Sequence, residues 1–248
     1  MTLIRLLRAE FHSLTTTRLP LWFFGATVLL ALAVAAVVLL GAGTDDAGGM
    51  FGTLAAQRSL LSFGENAMMV AGFLGAIVVA SEYAHGTVIP RYLVTPKRHY
   101  AMLAHLLALF LAGGLLGFVG GTLTIAAGAV TLPVVGLDRL VDAGTALRMV
   151  ATATLAGAIG AAFGGGVGAI VRTTGGAVAA IVAFLLLGPP IVAQLSAAAA
   201  PWVPGALIAA IAGSVSATST PTAVAALLLW VSVPVVVGTV LVARRDVA

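Results

Sequence analysis

The chain has no cysteine and very few charged residues. The absence of cysteine among 248 residues excludes disulfide bonds, cysteine-ligated zinc sites and thiol catalysis. Charged residues make up only 8% of the sequence, against roughly 25% in a typical soluble domain. The single lysine, Lys97, is not part of a G-x-x-x-x-G-K-[ST] phosphate-binding loop, so the chain carries no recognisable ATPase site of its own. Hydrophobic residues reach 61%, which predicts that most of the chain lies in a bilayer.

Six apolar stretches are long enough to cross a membrane, which takes about 20 helical residues. The predicted spans are residues 21–41, 61–81, 102–132, 149–171, 175–195 and 222–243. The third is too long for a straight crossing, so we expect it to be tilted or broken. The apolar part of 196–221 is too short to cross, which predicts an extracytoplasmic interfacial or re-entrant segment. The fold predicted for residues 1–248 is a single all-α transmembrane domain.

The distribution of basic residues indicates the orientation of these spans. The basic residues on the side of the two termini are Arg5, Arg8, Arg18, Arg91, Lys97, Arg98, Arg172, Arg244 and Arg245. Only Arg58, Arg139 and Arg148 fall on the other side. The positive-inside rule therefore predicts that both termini are cytoplasmic. The high content of Ala, Gly and Val and the use of arginine for eleven of the twelve basic residues are typical of a GC-rich bacterial genome, so we expect a multi-pass protein of a bacterial cytoplasmic membrane. The net charge of +4 belongs to one side of the membrane, and a nucleic-acid partner is not expected.

Residues 2–18 precede the first span and show helical periodicity. The apolar positions are Leu3, Leu6, Leu7, Phe11 and Leu14, and the polar positions are Arg5, Arg8, Glu10 and His12. This pattern predicts an amphipathic helix in the cytoplasmic interface. The alternative is a frayed extension of the first span.

The apolar stretches contain almost no ionisable residue. Glu65, Glu82 and His105 lie at or near the ends of spans, where we expect their side chains to reach water. A carrier driven by protons or sodium normally needs such a residue inside the membrane, so ion coupling is not favoured. The four histidines lack metal-ligand spacing and are interpreted as interfacial polar residues. We predict no catalytic residue and no metal site.

Small and polar residues inside the spans have two interpretations each. Glycines recur about every four residues at positions 113, 117 and 121 and at 157, 160, 164 and 168, which favours close packing within one bundle over a dimer seam or a sliding gate. Pro189 and Pro190 are predicted to break or kink the fifth span. The candidate residues of a translocation path are Asn66, Thr122, Thr124, Thr152 and Ser232. The alternative for the hydroxyl groups is a hydrogen bond back to their own helix.

A polar segment, residues 81–98, lies between the second and third spans. Gly86 and Thr87 are predicted to end the emerging helix, and Pro90 suits the start of a short new one. Thr95 and Pro96 end that short helix, because a residue before proline avoids helical geometry. Its exposed face could dock into the groove of a soluble partner. The alternative is an ordinary charged loop.

Three parts of the chain together resemble a known family. They are Glu82-Tyr83-Ala84-His85-Gly86-Thr87 followed by Thr95-Pro96-Lys97-Arg98, residues 6–11 with 15–18, and residues 242–247. The first resembles the loop of bacterial type 2 ATP-binding-cassette (ABC) permeases, in which a glutamate closes the second span and T-P-[RK]-R precedes the third. The other two are similar to that family's N-terminal helix and C-terminal ending. The chain departs from the pattern at Ser81, where a glycine is common, and near Ser13 and His105, where a basic residue is common.

The resemblance implies a permease that pairs with a second copy or a sister permease and binds two copies of a separate ATPase subunit. ATP and Mg would bind to that subunit, and this chain would hold no cofactor. Residues 86–95 would form the coupling helix. The implied ATPase contacts are Gly86, Thr87, Arg91, Tyr92, Leu93, Thr95, Pro96 and Arg98. Glu82 would act at the cytoplasmic gate, paired with Arg8 or Arg91.

The expected cargo is a hydrophobic or amphipathic compound such as a drug, antibiotic, peptide or lipid, because the spans are mainly apolar. Two other functions stay open: an ion-coupled secondary carrier, and a non-transporting scaffold or sensor subunit.

Overall fold

The computed structural model describes residues 10–12, 14, 17–41, 51–87, 98–214 and 218–244, and these residues form helices and turns without any strand. Six helical stretches in this part of the chain are long and apolar enough to cross a membrane. The predicted all-α membrane fold with six spans is thereby confirmed at the level of helix number, length and composition.

Nine α-helices follow one another along the described part of the chain. Their bounds are α1 Leu19–Gly41, α2 Leu54–Leu61, α3 Gly64–Ala84, α4 Arg98–Val134, α5 Ala143–Val171, α6 Thr174–Ile181, α7 Gly188–Leu195, α8 Pro204–Ala212 and α9 Thr220–Arg244. The second span consists of α2 and α3, and the fifth of α6 and α7 with the turn between them. Successive spans alternate in direction. We call the end of the bundle where α3, α5 and α9 finish the terminal end, and the other the opposite end.

Helix α5 lies at the centre of the bundle. In its most apolar window 78% of the residues are buried, against 17% in α1, 11% in the fifth span and 17% in α9. Three of its neighbours reach its backbone through glycine. A Cβ added at Gly160 or Gly164 would collide with a backbone carbonyl of α3. The two helices therefore pack closely enough for their main chains to touch.

Helices α4 and α9 also approach the backbone of α5 closely at glycines. Gly157 of α5 and Gly113 of α4 each stand against the other's carbonyl oxygen. On another face, a Cβ at Gly166 would lie 2.6 Å from the carbonyl carbon of Pro234 in α9. Both glycine series therefore pack inside this one chain, as the favoured interpretation of the sequence predicted.

Helix α4 is unbroken. It contains 37 residues, and its one proline, Pro133, lies in the last turn. At 1.5 Å per residue it is about 55 Å long, well beyond a hydrocarbon core of about 30 Å. The excess length is therefore accommodated without the break that the sequence suggested, and the helix extends past the apolar layer.

The fifth span also stays helical through Pro189 and Pro190. Its adjustment lies immediately before them, in the wide turn Val182–Leu187, where the N–H of Gly188 donates to the carbonyl of Ala183 five residues back. A proline ring clashes with the carbonyl four residues earlier and offers no N–H donor. The wide turn removes that conflict, so the chain avoids the predicted break.

At the opposite end, a buried glutamine joins two loops. Gln57 is completely buried, and its amide nitrogen donates to the carbonyl oxygens of Phe51 at 3.1 Å and Asp138 at 2.8 Å. Its amide oxygen accepts from the N–H of Leu140 at 2.9 Å. The short helix α2 is thereby fixed to the connection between α4 and α5.

Arg148 performs a similar role for α8, the helical part of the predicted segment 196–221. Its Nε donates to the carbonyl of Ile211 at 2.7 Å, and its Nη2 donates to the hydroxyl of Thr220 at 3.0 Å. Helix α8 ends at Gly213, whose φ of 78° is favourable for glycine. One guanidinium therefore ties α5 to the end of α8 and the start of α9.

Asp142 caps the first turn of α5. Hydrogen bonds from the hydroxyl and N–H of Thr145 and from the N–H of Gly144 lower the pKa of the Asp142 carboxyl below 3.8. Because the pKa is lowered, this cap stabilises the fold at pH values above the ordinary pKa of the carboxyl. The stabilisation is lost as the pH falls through the lowered pKa.

Two predicted helices fall largely outside the described residues. Of the predicted interfacial helix 2–18, only residues 10–12, 14, 17 and 18 are described. Of the predicted coupling helix 86–95, only Gly86 and Thr87 are described, and both lie in a turn. Both helices therefore stay predictions.

The α3–α5 contact predicts opposite effects for one substitution at two glycines. Gly164→Ala places a methyl group against the carbonyl of Gly72, whereas Gly25→Ala in α1 meets no atom within 4 Å. We expect Gly164→Ala to lower the free energy of unfolding by about 1–3 kcal/mol, because a backbone cannot move aside cheaply. Gly25→Ala should be neutral or stabilising by up to about 1 kcal/mol. Thermal unfolding of both variants in mild detergent tests this, and equal melting temperatures would contradict it.

Candidate functional site

The last turn of α3 forms one wall of the candidate site. The helix finishes at Ala84, and Gly86 leaves it with a φ of 67°. The N–H of His85 donates to the carbonyl of Ser81 at 3.0 Å, and the hydroxyl of Thr87 donates to that of Glu82 at 3.3 Å. These bonds close the helix end and fix Glu82 in the last turn of α3, at the start of the polar segment 81–98.

A histidine from α4 faces this turn and joins it to the N-terminal segment. His105 Nδ1 lies 2.6 Å from Glu10 Oε2, and its Nε2 lies 3.7 Å from Glu82 Oε1. His105 is 2% exposed and Glu10 is 7% exposed. Three ionisable side chains from three separate parts of the chain thus form a cluster, which we call the Glu–His–Glu cluster; its His105 and Glu10 are buried and its Glu82 is partly exposed.

The N-terminal segment reaches the cluster because it is anchored by a neighbouring apolar residue. Leu14 is buried in the same core as Val79 of α3 and Met102 of α4. Glu10 lies four residues earlier, so the two share one face of a helix. Phe11 and His12 are exposed instead. The predicted helix face was therefore wrong for Glu10, because His105 offers that carboxylate a buried partner.

The hydrogen-bond pattern indicates which ring nitrogen of His105 carries a proton. An ionised carboxylate only accepts, so the short contact requires a proton on His105 Nδ1 when Glu10 is ionised. His105 Nε2 is buried and has no hydrogen-bond partner in the described residues. At 3.7 Å, Glu82 is within ion-pair range of Nε2 but too far for a hydrogen bond. A shift of less than about 1 Å would close that bond and connect all three side chains.

His105 was expected to reach water, and this expectation is wrong. The residue lies about two turns inside α4, between Met102 and Leu109, both of which are buried. The sequence did contain a signal: an isolated histidine within an apolar run needs a partner, and Glu82 closes the neighbouring span. Glu10 could not be identified as that partner, because the pairing depends on how the N-terminal segment docks.

Arg172 occupies the same end of the bundle. It follows the last residue of α5 with a φ of 61°, and its guanidinium lies 4.8 Å from the ring centroid of Tyr83. Its Nε and Nη2 are buried without a hydrogen-bond partner in the part of the chain that the structure describes. A cation over an aromatic face holds the guanidinium beside the turn that carries Glu82.

Most of the predicted ATPase contacts lie outside the described residues. These are Arg91, Tyr92, Leu93, Thr95 and Pro96, whereas Gly86 and Thr87 lie in a turn and Arg98 begins α4. Arg8, the predicted gate residue, is also outside the described residues. The predicted pairing of Glu82 with Arg8 or Arg91 is therefore outside them as well. Within the described residues, Glu82 faces His105.

The predicted path residues with hydroxyl groups form hydrogen bonds within their own helices. The hydroxyls of Thr122, Thr124, Thr152 and Ser232 each donate to a carbonyl of their own helix at 2.7–2.8 Å. This is the alternative that the sequence left open for them. Asn66 is half-buried near the start of α3, far along that helix from Glu82.

Neither a metal-binding group in the described residues nor a similar known protein helps to define the candidate site. In the described ranges, no group of three or more His, Asp or Glu side chains is arranged to hold a metal ion. No protein-family model matches the chain, and no curated protein is significantly similar to it.

The buried contact between Glu10 and His105 predicts a non-additive mutant cycle. Glu10→Leu or His105→Leu alone removes one partner of a buried hydrogen bond, and each should lower stability by about 1–3 kcal/mol. The double variant removes both polar groups and should be more stable than either single variant. Melting temperatures of the four proteins in one detergent measure this. A double variant as destabilised as the sum of the two singles would show that the side chains do not interact.

Proposed function

We propose that this chain is the membrane-spanning subunit of an ATP-driven exporter of the type 2 ABC class. The proposal is supported by six apolar spans in 248 residues and by the resemblance of residues 82–87 and 95–98 to the loop of such permeases. ATP and Mg would be bound by a separate ATPase present in two copies. A second copy of this chain or a sister permease would complete the transporter.

The Glu–His–Glu cluster is the structural observation that best supports the proposal. It joins the N-terminal segment, α3 and α4 at the point where the chain leaves α3 for the loop. In the proposed transporter, the ATPase moves residues 86–95, and Glu82 transmits this motion through His105 to the N-terminal segment. A contact that could close by a shift of less than about 1 Å suits a gate that must alternate between two states.

The terminal end of the bundle is the cytoplasmic side in this proposal. Arg18, Arg172 and Arg244 lie at that end, which fits the excess of positive charge expected in the cytoplasm. The mainly apolar spans suit a hydrophobic or amphipathic cargo exported from the cytoplasm.

One observation also favours the ion-coupled carrier. His105 and Glu10 are buried together beside the partly exposed Glu82, and buried ionisable groups are the usual elements of proton-coupled transport. The two proposals differ in energy source. Transport driven by a proton gradient in vesicles that lack ATP would establish the carrier and exclude the exporter.

The exporter proposal predicts a specific partner. Purification from the native membrane in mild detergent should recover an ATPase with Walker motifs, in a 1:1 ratio to this chain if two copies of the chain pair and in a 2:1 ratio if the chain pairs with a sister permease. Altering Arg91, Tyr92 and Leu93 together to alanine should release it. The control is Arg139→Ala with Leu140→Ala, which removes an arginine and a leucine from the opposite end and should retain the partner. Recovery of the chain alone, without ATPase activity, would favour the scaffold or the carrier.

Glu82→Gln should separate binding from coupling. We expect the variant to insert and to retain the ATPase, while the stimulation of ATPase activity by cargo is largely lost. Glu65→Gln, at the other end of α3, serves as the control and should behave like the wild type. Normal stimulation in Glu82→Gln would show that the gate does not depend on this carboxylate.

A further inference from the structure

A polar pocket lies at the opposite end of the bundle, where α8 finishes and α9 begins. The lining side chains that can form hydrogen bonds are Arg148, Ser214, Thr218, Ser219 and Thr220. Ser219 and Thr220 are exposed, so the pocket is accessible from outside the bundle. Its lining therefore offers one cation and several hydroxyl groups to a polar ligand, far from the Glu–His–Glu cluster at the terminal end.

Arg148 is held in place along one edge of its guanidinium. Its Nε donates to the carbonyl of Ile211 at 2.7 Å, and its Nη2 donates to the carbonyl of Ala210 at 3.4 Å and to the hydroxyl of Thr220 at 3.0 Å. Its Nη1 forms no hydrogen bond with the described residues. Gly213 leaves room for this nitrogen, because a Cβ there would lie 3.1 Å from Nη1. The cation is thereby fixed, and one of its donor nitrogens is free for a ligand.

No carboxylate balances the charge of Arg148. The sequence has no Asp or Glu between Asp142 and Asp246, and every lining residue comes from that range. Asp142 accepts hydrogen bonds from Thr145 and Gly144 at the cap of α5 and forms no ion pair with Arg148. The three acceptors on the guanidinium are neutral, so they orient the group and leave its positive charge in place. The pocket therefore favours an anion.

The start of α9 adds to this positive potential. The helix contains 25 residues, begins at Thr220 and has no acidic residue in its first turn. The N–H of Ala223 donates to the carbonyl of Ser219, so the N–H groups before it lie ahead of the first helical hydrogen bond. Helix N-termini carry a partial positive charge and bind phosphate and other anions through such N–H groups.

The hydroxyl of Ser214 is an independent indication of a ligand. The N–H of this residue donates to the carbonyl of Ala209 at 2.9 Å, which closes the end of α8 and fixes Ser214 at the pocket. Its Oγ is buried and has no hydrogen-bond partner among the described residues. Buried hydroxyl groups nearly always have a partner, and a ligand in the pocket would supply this one.

We propose that this pocket binds a phosphate group. The phosphate oxygens accept hydrogen bonds from Nη1 of Arg148, from the hydroxyls of Ser214 and Thr218, and from the first N–H groups of α9. Two sources present this group at the membrane surface: the headgroup of a phospholipid in the leaflet at the opposite end, and inorganic phosphate in solution. The site is independent of the proposed transport function, because it requires only the end of α8 and the starts of α5 and α9.

Thr218 provides a matched pair of variants. It lines the pocket and is half-buried. Thr218→Glu places a carboxylate where the phosphate binds, whereas Thr218→Gln adds a side chain of nearly the same size without a charge. The melting temperature of the full chain in a neutral detergent is measured against inorganic phosphate, with chloride at equal ionic strength as the reference. Binding of inorganic phosphate should raise it by about 2–4 °C in the wild type and Thr218→Gln, and not in Thr218→Glu.

A second arm of the experiment identifies a lipid source. The same proteins are mixed with phosphatidylglycerol, or with diacylglycerol of the same acyl chains, and examined by native mass spectrometry. Retention of phosphatidylglycerol, but not diacylglycerol, by the wild type and Thr218→Gln and its loss from Thr218→Glu would assign the site to a headgroup. A phosphate-dependent melting temperature without lipid retention would assign it to inorganic phosphate.

Two outcomes would overturn the proposal. The first is that Thr218→Glu and Thr218→Gln respond alike to inorganic phosphate and retain phosphatidylglycerol alike. The second concerns Arg139, an exposed arginine at the same end that does not line the pocket. Arg139→Gln should behave like the wild type in both arms. A loss of binding as large as that in Thr218→Glu would show a general attraction of anions to this end of the protein, without a defined site.

Discussion

Three helices reach the backbone of α5 through glycine, and this contact determines the arrangement of the bundle. In a bilayer, lipid tails are as apolar as the helix surfaces, so association between helices depends on close packing more than on removal of apolar surface from water. Gly160 and Gly164 admit α3, Gly157 admits α4, and Gly166 admits α9. The remaining spans pack around this central group and expose most of their surface.

This arrangement explains which parts of the fold could be predicted. The number of spans follows from the length of each apolar stretch, and the close packing follows from the glycine spacing. The wide turn before Pro189 and the continuity of α4 do not follow from local pattern. Both depend on how the whole helix fits between its neighbours, which propensity alone does not describe.

The candidate site was predictable only in part. The position of Glu82 at the end of a span is visible in the sequence, because polar residues follow it directly. The burial of His105 and Glu10 is not, because it requires the N-terminal segment to fold back against α3 and α4. Leu14 anchors that segment through contacts that are far apart in sequence. Local periodicity assigned Glu10 to the polar face, because the pattern of neighbouring residues contains no information about a partner 95 residues away.

The unbroken length of α4 has a mechanical consequence. A straight rod about 55 Å long that tilts by about 10° around its centre moves each tip by about 5 Å in opposite directions. His105 lies near one tip and Leu132 near the other, where Leu132 packs against Val38 and Phe51. The helix can therefore act as a lever, converting a small change of angle at its middle into reciprocal displacements at the two faces of the membrane.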